Sequence, residues 1–110
     1  MNKSVPNNNE RIFIAGHTGL VGSAILRLLK YSTNHKLITI GRKELDLTNQ
    51  GLVKEFFSKN KITQVYLAAA KVGGVYANDN YPTDFIYQNL LIQSNIIYSA
   101  FKYGVKKLLF

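Results

Sequence analysis

Three glycines spaced three apart, Gly16, Gly19 and Gly22, stand directly behind the apolar run Ile12-Phe13-Ile14-Ala15. The loop they punctuate, Gly16-His17-Thr18-Gly19-Leu20-Val21-Gly22, leads into a stretch with helical hydrophobic spacing. A buried strand that ends in this way has the local chemistry of a dinucleotide diphosphate site. Gly16 permits the tight turn, Gly19 removes a Cβ that would block the diphosphate, and Gly22 lets the helix lie close to the strand. The helix N-terminus then presents N–H groups and a partial positive charge to the phosphates. His17 is expected to meet phosphate through its backbone.

A second cluster bears on which dinucleotide is held. An NAD site usually places Asp or Glu about 20 residues past the glycines, to accept hydrogen bonds from the ribose 2′-OH. That region here reads Ile40-Gly41-Arg42-Lys43. Arg42 suits bidentate pairing with a 2′-phosphate and Lys43 adds a point charge, which favours NADP(H). A solvated turn accounts for the same two residues, and Glu44 beside them supports that alternative. Leu45, Asp46 and Leu47 follow; they either offer apolar and acceptor groups to an adenine edge or simply close a strand and cap the next helix. Ala69, Ala70 and Lys71 end the most strand-like piece of the chain, at the strand end where open α/β sheets bind ligands.

These residues need elements to hold them, and strand and helix signals alternate along the chain. Strands are expected at 11–15, 36–40, 45–47, 64–70 and from Lys106 onward. Between them lie helices at about 20–31, with Val21, Ala24, Ile25, Leu28 and Leu29 on one face, and from Thr48 or Asn49 to about Asn60. The second helix carries Leu52, Val53, Phe56 and Phe57 toward the sheet. A long third helix runs from Tyr81-Pro82 to Tyr103 with Gly104 as its stop. Its expected inner stripe is Phe85, Ile86, Asn89, Leu90, Ile96, Ile97, Ala100 and Phe101. Asn89 is either a satisfied buried amide or a group reaching the ligand, and Tyr87, Tyr98 and Tyr103 read as packing. The pattern predicts a Rossmann-type, doubly wound parallel α/β sheet of order 3-2-1-4-5, truncated at the fifth strand. A parallel strand left as an apolar edge is an aggregation hazard, so the chain reads as the front of a longer protein.

Composition narrows the function class. The chain has 110 residues, a formal charge of +8 and 46% hydrophobic residues. The basic residues are scattered with no run longer than two, which argues against a nucleic-acid surface. Cysteine is absent, and the two isolated histidines lack the spacing of a metal site. No stretch is apolar enough to span a membrane. Residues 1–10 read as a flexible polar tail without a signal-peptide core, and a cytoplasmic location is expected.

Two longer strings, Leu67-Ala68-Ala69-Ala70-Lys71-Val72-Gly73-Gly74 and Tyr81-Pro82-Thr83-Asp84-Phe85-Ile86-Tyr87-Gln88-Asn89, complete the pattern. With the glycine loop, Asn95-Ile96-Ile97 and Lys107-Leu108-Leu109-Phe110, they closely resemble the N-terminal part of the GDP-L-fucose synthase family. That family is one of the extended short-chain dehydrogenase/reductases, and the resemblance runs from Arg11 to Phe110. It implies an NADPH-dependent 3,5-epimerase and 4-reductase converting GDP-4-keto-6-deoxy-D-mannose to GDP-L-fucose, in a homodimer. It places Gly16, His17, Thr18, Gly19, Leu20, Val21 and Gly22 on the pyrophosphate. It places Arg42, Lys43, Glu44, Leu45, Asp46 and Leu47 around the 2′-phosphate and adenine, and Ala69, Ala70 and Lys71 beside the cofactor ribose. Thr18 departs from the arginine that the family often has there, which puts more of the phosphate grip on Arg42. The family's catalytic serine, cysteine, Tyr-x-x-x-Lys pair and later histidine lie past the fifth strand, so no catalytic residue is expected in this chain. On this reading residues 11–110 are the first part of an NADP(H)-binding domain, without a substrate domain. The alternatives are a non-catalytic dinucleotide-binding module or a nonfunctional truncated product.

Overall fold

The computed structural model describes residues 10–69 and 82–110. Along the chain lie β1 (Arg11–Ala15), α1 (Leu20–Ser32), β2 (Lys36–Ile38), α2 (Gln50–Asn60), β3 (Gln64–Leu67), α3 (Pro82–Lys102) and β4 (Lys107–Leu109). The strands form one parallel sheet in the order β2-β1-β3-β4. This is a Rossmann-like α/β fold, and its four strands take the 2-1-4-5 part of the expected order. The expected strand at 45–47 does not form.

Alternation along β1 sends its side chains to opposite faces of the sheet. Phe13 and Ala15 join Val65 and Leu67 beneath α2 and α3, where Val53, Phe57, Ile92, Ile96 and Ala100 complete the main core. The rings of Phe13, Phe56 and Phe57 meet edge to face, with Phe13 and Phe56 centroids 4.8 Å apart. Ile12 and Ile14, buried on the other face, lie on the side covered by α1. Ile62, just before β3, is also buried.

The rotation of α1 is set by two glycines. Gly16 holds a positive φ of 89°, and a Cβ there would stand 2.7 Å from the Ala69 nitrogen. Gly22 is buried against this turn, and a Cβ on it would fall on the Gly16 carbonyl oxygen, 2.6 Å from the carbonyl carbon. Backbone must therefore face backbone, and Gly22 points inward. Ile25, Leu26 and Leu29 follow it at helical spacing into partly buried positions. The expected face is thus rotated: Val21, Ala24 and Leu28 stay exposed. In α2, Val53 and Phe57 point inward as expected, whereas Leu52 is exposed.

The stretch expected as a third strand is a sequence of turns. Glu44 N–H and Leu45 N–H both donate to the Gly41 carbonyl, at 3.0 and 3.1 Å. The Asp46 carboxylate accepts from Thr48 N–H (3.0 Å) and the Thr48 hydroxyl (2.6 Å), and Asn49 N–H donates to the Asp46 carbonyl. Side chains that bond nearby backbone in this way compete with a strand ladder. Leu45 is buried and Leu47 packs against the core, so both leucines anchor the loop. Asn49, one of the two expected caps, opens α2 by accepting from Leu52 N–H at 3.0 Å. β2 is shorter than expected and stops at Ile38.

Helix α3 ends as its sequence predicts. Gly104 has φ 75°, its N–H donates to the Phe101 carbonyl, and Val105 N–H reaches back to Ala100 at 2.9 Å. That pair of bonds is the Schellman arrangement. The buried stripe of α3 differs from expectation. It comprises Ile92, Asn95, Ile96, Ser99 and Ala100, while Ile86, Leu90, Ile97 and Phe101 are exposed, Phe101 by 84%. Tyr98 faces outward under Lys54 of α2, whose Nζ lies 5.4 Å from the ring centroid.

At the N-terminal edge of the strands a polar knot joins distant segments. Glu10 is buried, its carboxylate 2.7 Å from Lys106 Nζ, and it also accepts from the Thr63 hydroxyl (2.7 Å) and Gln64. This residue, read from sequence as the end of the polar tail, is therefore part of the folded unit. The hydrogen bonds from Lys106 and Thr63 hold its carboxyl at about 2, well below the usual 4.5.

Three substitutions test these contacts through stability. Gly22→Ala should destabilise the chain by about 3 kcal/mol in chemical denaturation, through forced backbone displacement. Gly51→Ala, whose Cβ meets nothing closer than 3.6 Å, should be neutral or gain up to about 1 kcal/mol from helix propensity. Equal effects at the two sites would contradict the close-approach account. For Glu10 the depressed carboxyl stabilises the fold above its unfolded pKa, and that contribution is lost as pH falls toward the folded value. Glu10→Gln should therefore be less stable than the parent at pH 7, with the gap closing between pH 4.5 and about 2 in denaturant midpoints.

Candidate functional site

The loop after β1 and the N-terminus of α1 open onto a cleft of about 990 Å³ at the C-terminal ends of the strands. Ligand pockets typically hold about 300–1,000 Å³, so the space is of the size a dinucleotide needs. Gly16, His17, Thr18, Gly19, Leu20 and Val21 form one wall. Gly22 lies beneath that wall, where its contact with Gly16 holds the loop in place.

Gly19 is the N-cap of α1, with no side chain capping the helix and no acidic residue in the first turn. Ser23 N–H, bonded to the Gly19 carbonyl at 2.9 Å, is the first to close an α-helical turn. The N–H groups of Leu20, Val21 and Gly22 come before it, at the positive end of the helix dipole. A Cβ on Gly19 would meet no protein atom closer than the Gly16 oxygen, at 3.6 Å. Unlike Gly16 and Gly22, then, Gly19 is not required by the surrounding protein. Its bare face looks onto the space in which an anion would sit, and a diphosphate fits such a cradle.

The opposite wall is the turn-rich loop. Ile40, Gly41, Arg42, Leu45, Asp46, Leu47 and Thr48 all line the cleft. Lys43 does not. Glu44 borders a separate shallow depression with Glu55 and Lys59, and its carboxylate folds over Gly41. Of the three charged residues 42–44, the structure brings only the arginine to the cleft, where the Asp46 carboxylate also lies. Asp46, bound to Thr48, serves the turn and is not the cap of α2, which is Asn49.

The floor comes from Phe13, Ala15, Ala68 and Ala69, where small side chains keep the strand ends low. Ala70 and Lys71 lie outside the described residues, as do Val72, Gly73 and Gly74. The reading of the sequence missed a fourth side, formed by Tyr87, Gln88, Leu91 and Ile92 of α3. Their spacing of one and four residues is a helical face, the signal the sequence offers, and Tyr87 borders the cleft instead of packing in the core. Asn89 is half-buried and is not among the lining residues. Among the described residues no cluster of His, Cys, Asp or Glu is arranged to hold a metal ion, and no helix is long and apolar enough to cross a membrane.

Comparison with known proteins agrees with this geometry. Residues 12–110 match the model of the NAD dependent epimerase/dehydratase family. GDP-L-fucose synthase 1 of Arabidopsis thaliana is 54% identical over 107 residues, covering 97% of this chain and 33% of the relative. GDP-L-fucose synthase of Escherichia coli strain K12 is 53% identical over 103 residues, covering 94% of the chain and 32% of the relative. Among solved structures, MlghC, a GDP-mannoheptose C4 reductase from Campylobacter jejuni with NADP bound, superposes with a TM-score of 0.86 at 42% identity. That match covers 94% of this chain and 32% of the other. The chain thus spans about a third of the length of the relatives it matches. A family match over nearly the whole chain, on a parallel sheet with a glycine-walled cleft at its strand ends, places this protein in the NAD dependent epimerase/dehydratase family.

Proposed function

We propose that residues 11–110 form the cofactor-holding part of an NADP(H)-dependent GDP-sugar epimerase/reductase, one that converts GDP-4-keto-6-deoxy-D-mannose to GDP-L-fucose. The observation that carries this reading is the pairing, across one cleft, of an uncapped helix N-terminus with Arg42. The first suits a diphosphate and the second a 2′-phosphate. Two relatives named GDP-L-fucose synthase, each more than half identical to this chain, support the sugar. When bound, the dinucleotide supplies the hydride for carbonyl reduction.

The roles of this chain's residues follow from their places. Gly16 and Gly22 shape the turn, while Gly19 and the N–H groups of Leu20, Val21 and Gly22 receive the diphosphate. His17 and Thr18 border it. Arg42 holds the 2′-phosphate, Leu45 and Leu47 give the adenine an apolar wall, and Asp46 fixes the turn between them. Lys43 and Glu44 flank this end without lining it. Ala69 passes beside the ribose; Ala70 and Lys71, to which the resemblance gives the same role, lie outside the described residues. The work assigned to these residues is binding and orientation, with no chemical step. We further assign the protein to the cytoplasm and to a homodimer; the exposed stripe Ile86, Leu90, Ile97 and Phe101 on α3 supports pairing of two copies.

Titration with NADPH and NADH tests the reading. Arg42→Ala should weaken NADPH about tenfold or more, the usual worth of a charge-assisted hydrogen bond, and leave NADH within about twofold. An equal loss for both cofactors would remove the 2′-phosphate role. Gly19→Val should stay folded, with a modest loss of stability from the poorer N-cap, and lose affinity for both dinucleotides, because its side chain would project into the cradle and not into protein. Undiminished binding by a folded Gly19→Val chain would refute the diphosphate site.

A further inference from the structure

The loop that replaces the expected third strand lacks a ladder to hold it. The bonds from Glu44 and Leu45 to Gly41, and from Thr48 and Asn49 to Asp46, are all local. A hydrogen bond also reaches the loop from across the fold. Asn95, buried on α3, donates from Nδ2 to the Leu47 carbonyl at 2.9 Å, joining residues 48 apart in sequence. Leu47 lines the cleft, and so do Gln88, Leu91 and Ile92 on the same helix. Asn95 lies seven residues after Gln88 and four after Leu91, so it belongs to the helical face that borders the ligand space, one turn further along. This amide therefore ties two walls of the cleft together, alongside the packing of Leu45 and Leu47, without itself lining the cleft.

We propose that Asn95 is a positioning residue for the adenosine end of the dinucleotide. By holding the Leu47 carbonyl against α3 it sets where Leu45, Asp46 and Leu47 stand relative to Arg42 on one side and Gln88 on the other. Without the amide, a buried carbonyl loses its donor and the loop relaxes away from the helix. This inference rests on the cofactor reading above and adds to it a residue that touches no ligand.

The experiment uses the full chain, with NADPH and adenosine 2′,5′-bisphosphate as probes. Asn95→Leu, which keeps the branched shape and removes the donor, should weaken both probes by about tenfold, the scale of one lost buried hydrogen bond. Amide exchange at 45–49 should quicken in this variant while Ile14 and Val65 in the sheet keep their protection. Ser99→Ala, fully buried one turn on and away from the cleft, should leave both affinities unchanged. If Asn95→Leu does not fold, Asn95→Ala, which leaves room for a water, takes its place and is read in the same way. Parent-like affinity in the Asn95 variant, an equal loss in Ser99→Ala, or a loss for NADPH with none for the bisphosphate would each overturn the proposal. Failure of the parent chain to bind either probe would instead overturn the cofactor reading itself.

Discussion

The approach of Gly22 to the backbone of Gly16 is the constraint on which the rest of the cleft depends. No side chain of any size fits between them. The helix therefore sits as low on β1 as backbone allows, and its rotation is decided at its third residue. The ordinary rule, by which the most apolar stripe turns inward, gives way here: Leu28 is 64% exposed while a glycine is buried. The same contact aims the first turn of α1 at the strand ends. Helix position and ligand cradle are thus one geometric fact.

The two ends of the parallel sheet do different work. At the C-terminal ends the strands stop low, on alanines, and loops from both sides enclose a space. At the N-terminal ends Glu10, Thr63, Gln64 and Lys106 close a hydrogen-bonded knot across β1, β3 and the start of β4. The Thr63 hydroxyl accepts from Arg11 N–H there, and Lys106 N–H donates to the Thr63 carbonyl at 2.7 Å. The side-chain bonds of this knot lie away from the cleft, where they do not compete with a ligand for donors.

Much of this was legible in the residues because local chemistry and tertiary contact agree. Ile12 to Ala15 alternates across a two-faced sheet, Asn49 caps, and Gly104 stops a helix. The glycine loop announces its turn. The failures have two causes: local bonds that compete with a strand ladder, and partners distant in sequence. Leu45-Asp46-Leu47 looks like a strand until Thr48 takes the carboxylate and Asn95 takes a carbonyl. The inner stripe of α3 follows the positions of α2 and the sheet, so Asn95 and Ser99 are buried while Phe101 is not. Tyr87 and Gln88 border the cleft only because α3 passes beside it. Sequence pairs Arg42 with Lys43 as cations for a 2′-phosphate, yet only Arg42 lines the cleft, and the missing side chain of Gly41 lets Glu44 fold to the far side.

The turn-built segment between β2 and α2 also has an evolutionary meaning. Segments in register with a sheet cannot gain or lose a residue without slipping every neighbour. Residues 41–49 share no such register with β2, so replacement or lengthening there leaves the strand pairing untouched. Preference for one nucleotide over another can therefore diverge by exchange of this short module, while the scaffold that carries the phosphates is inherited unchanged.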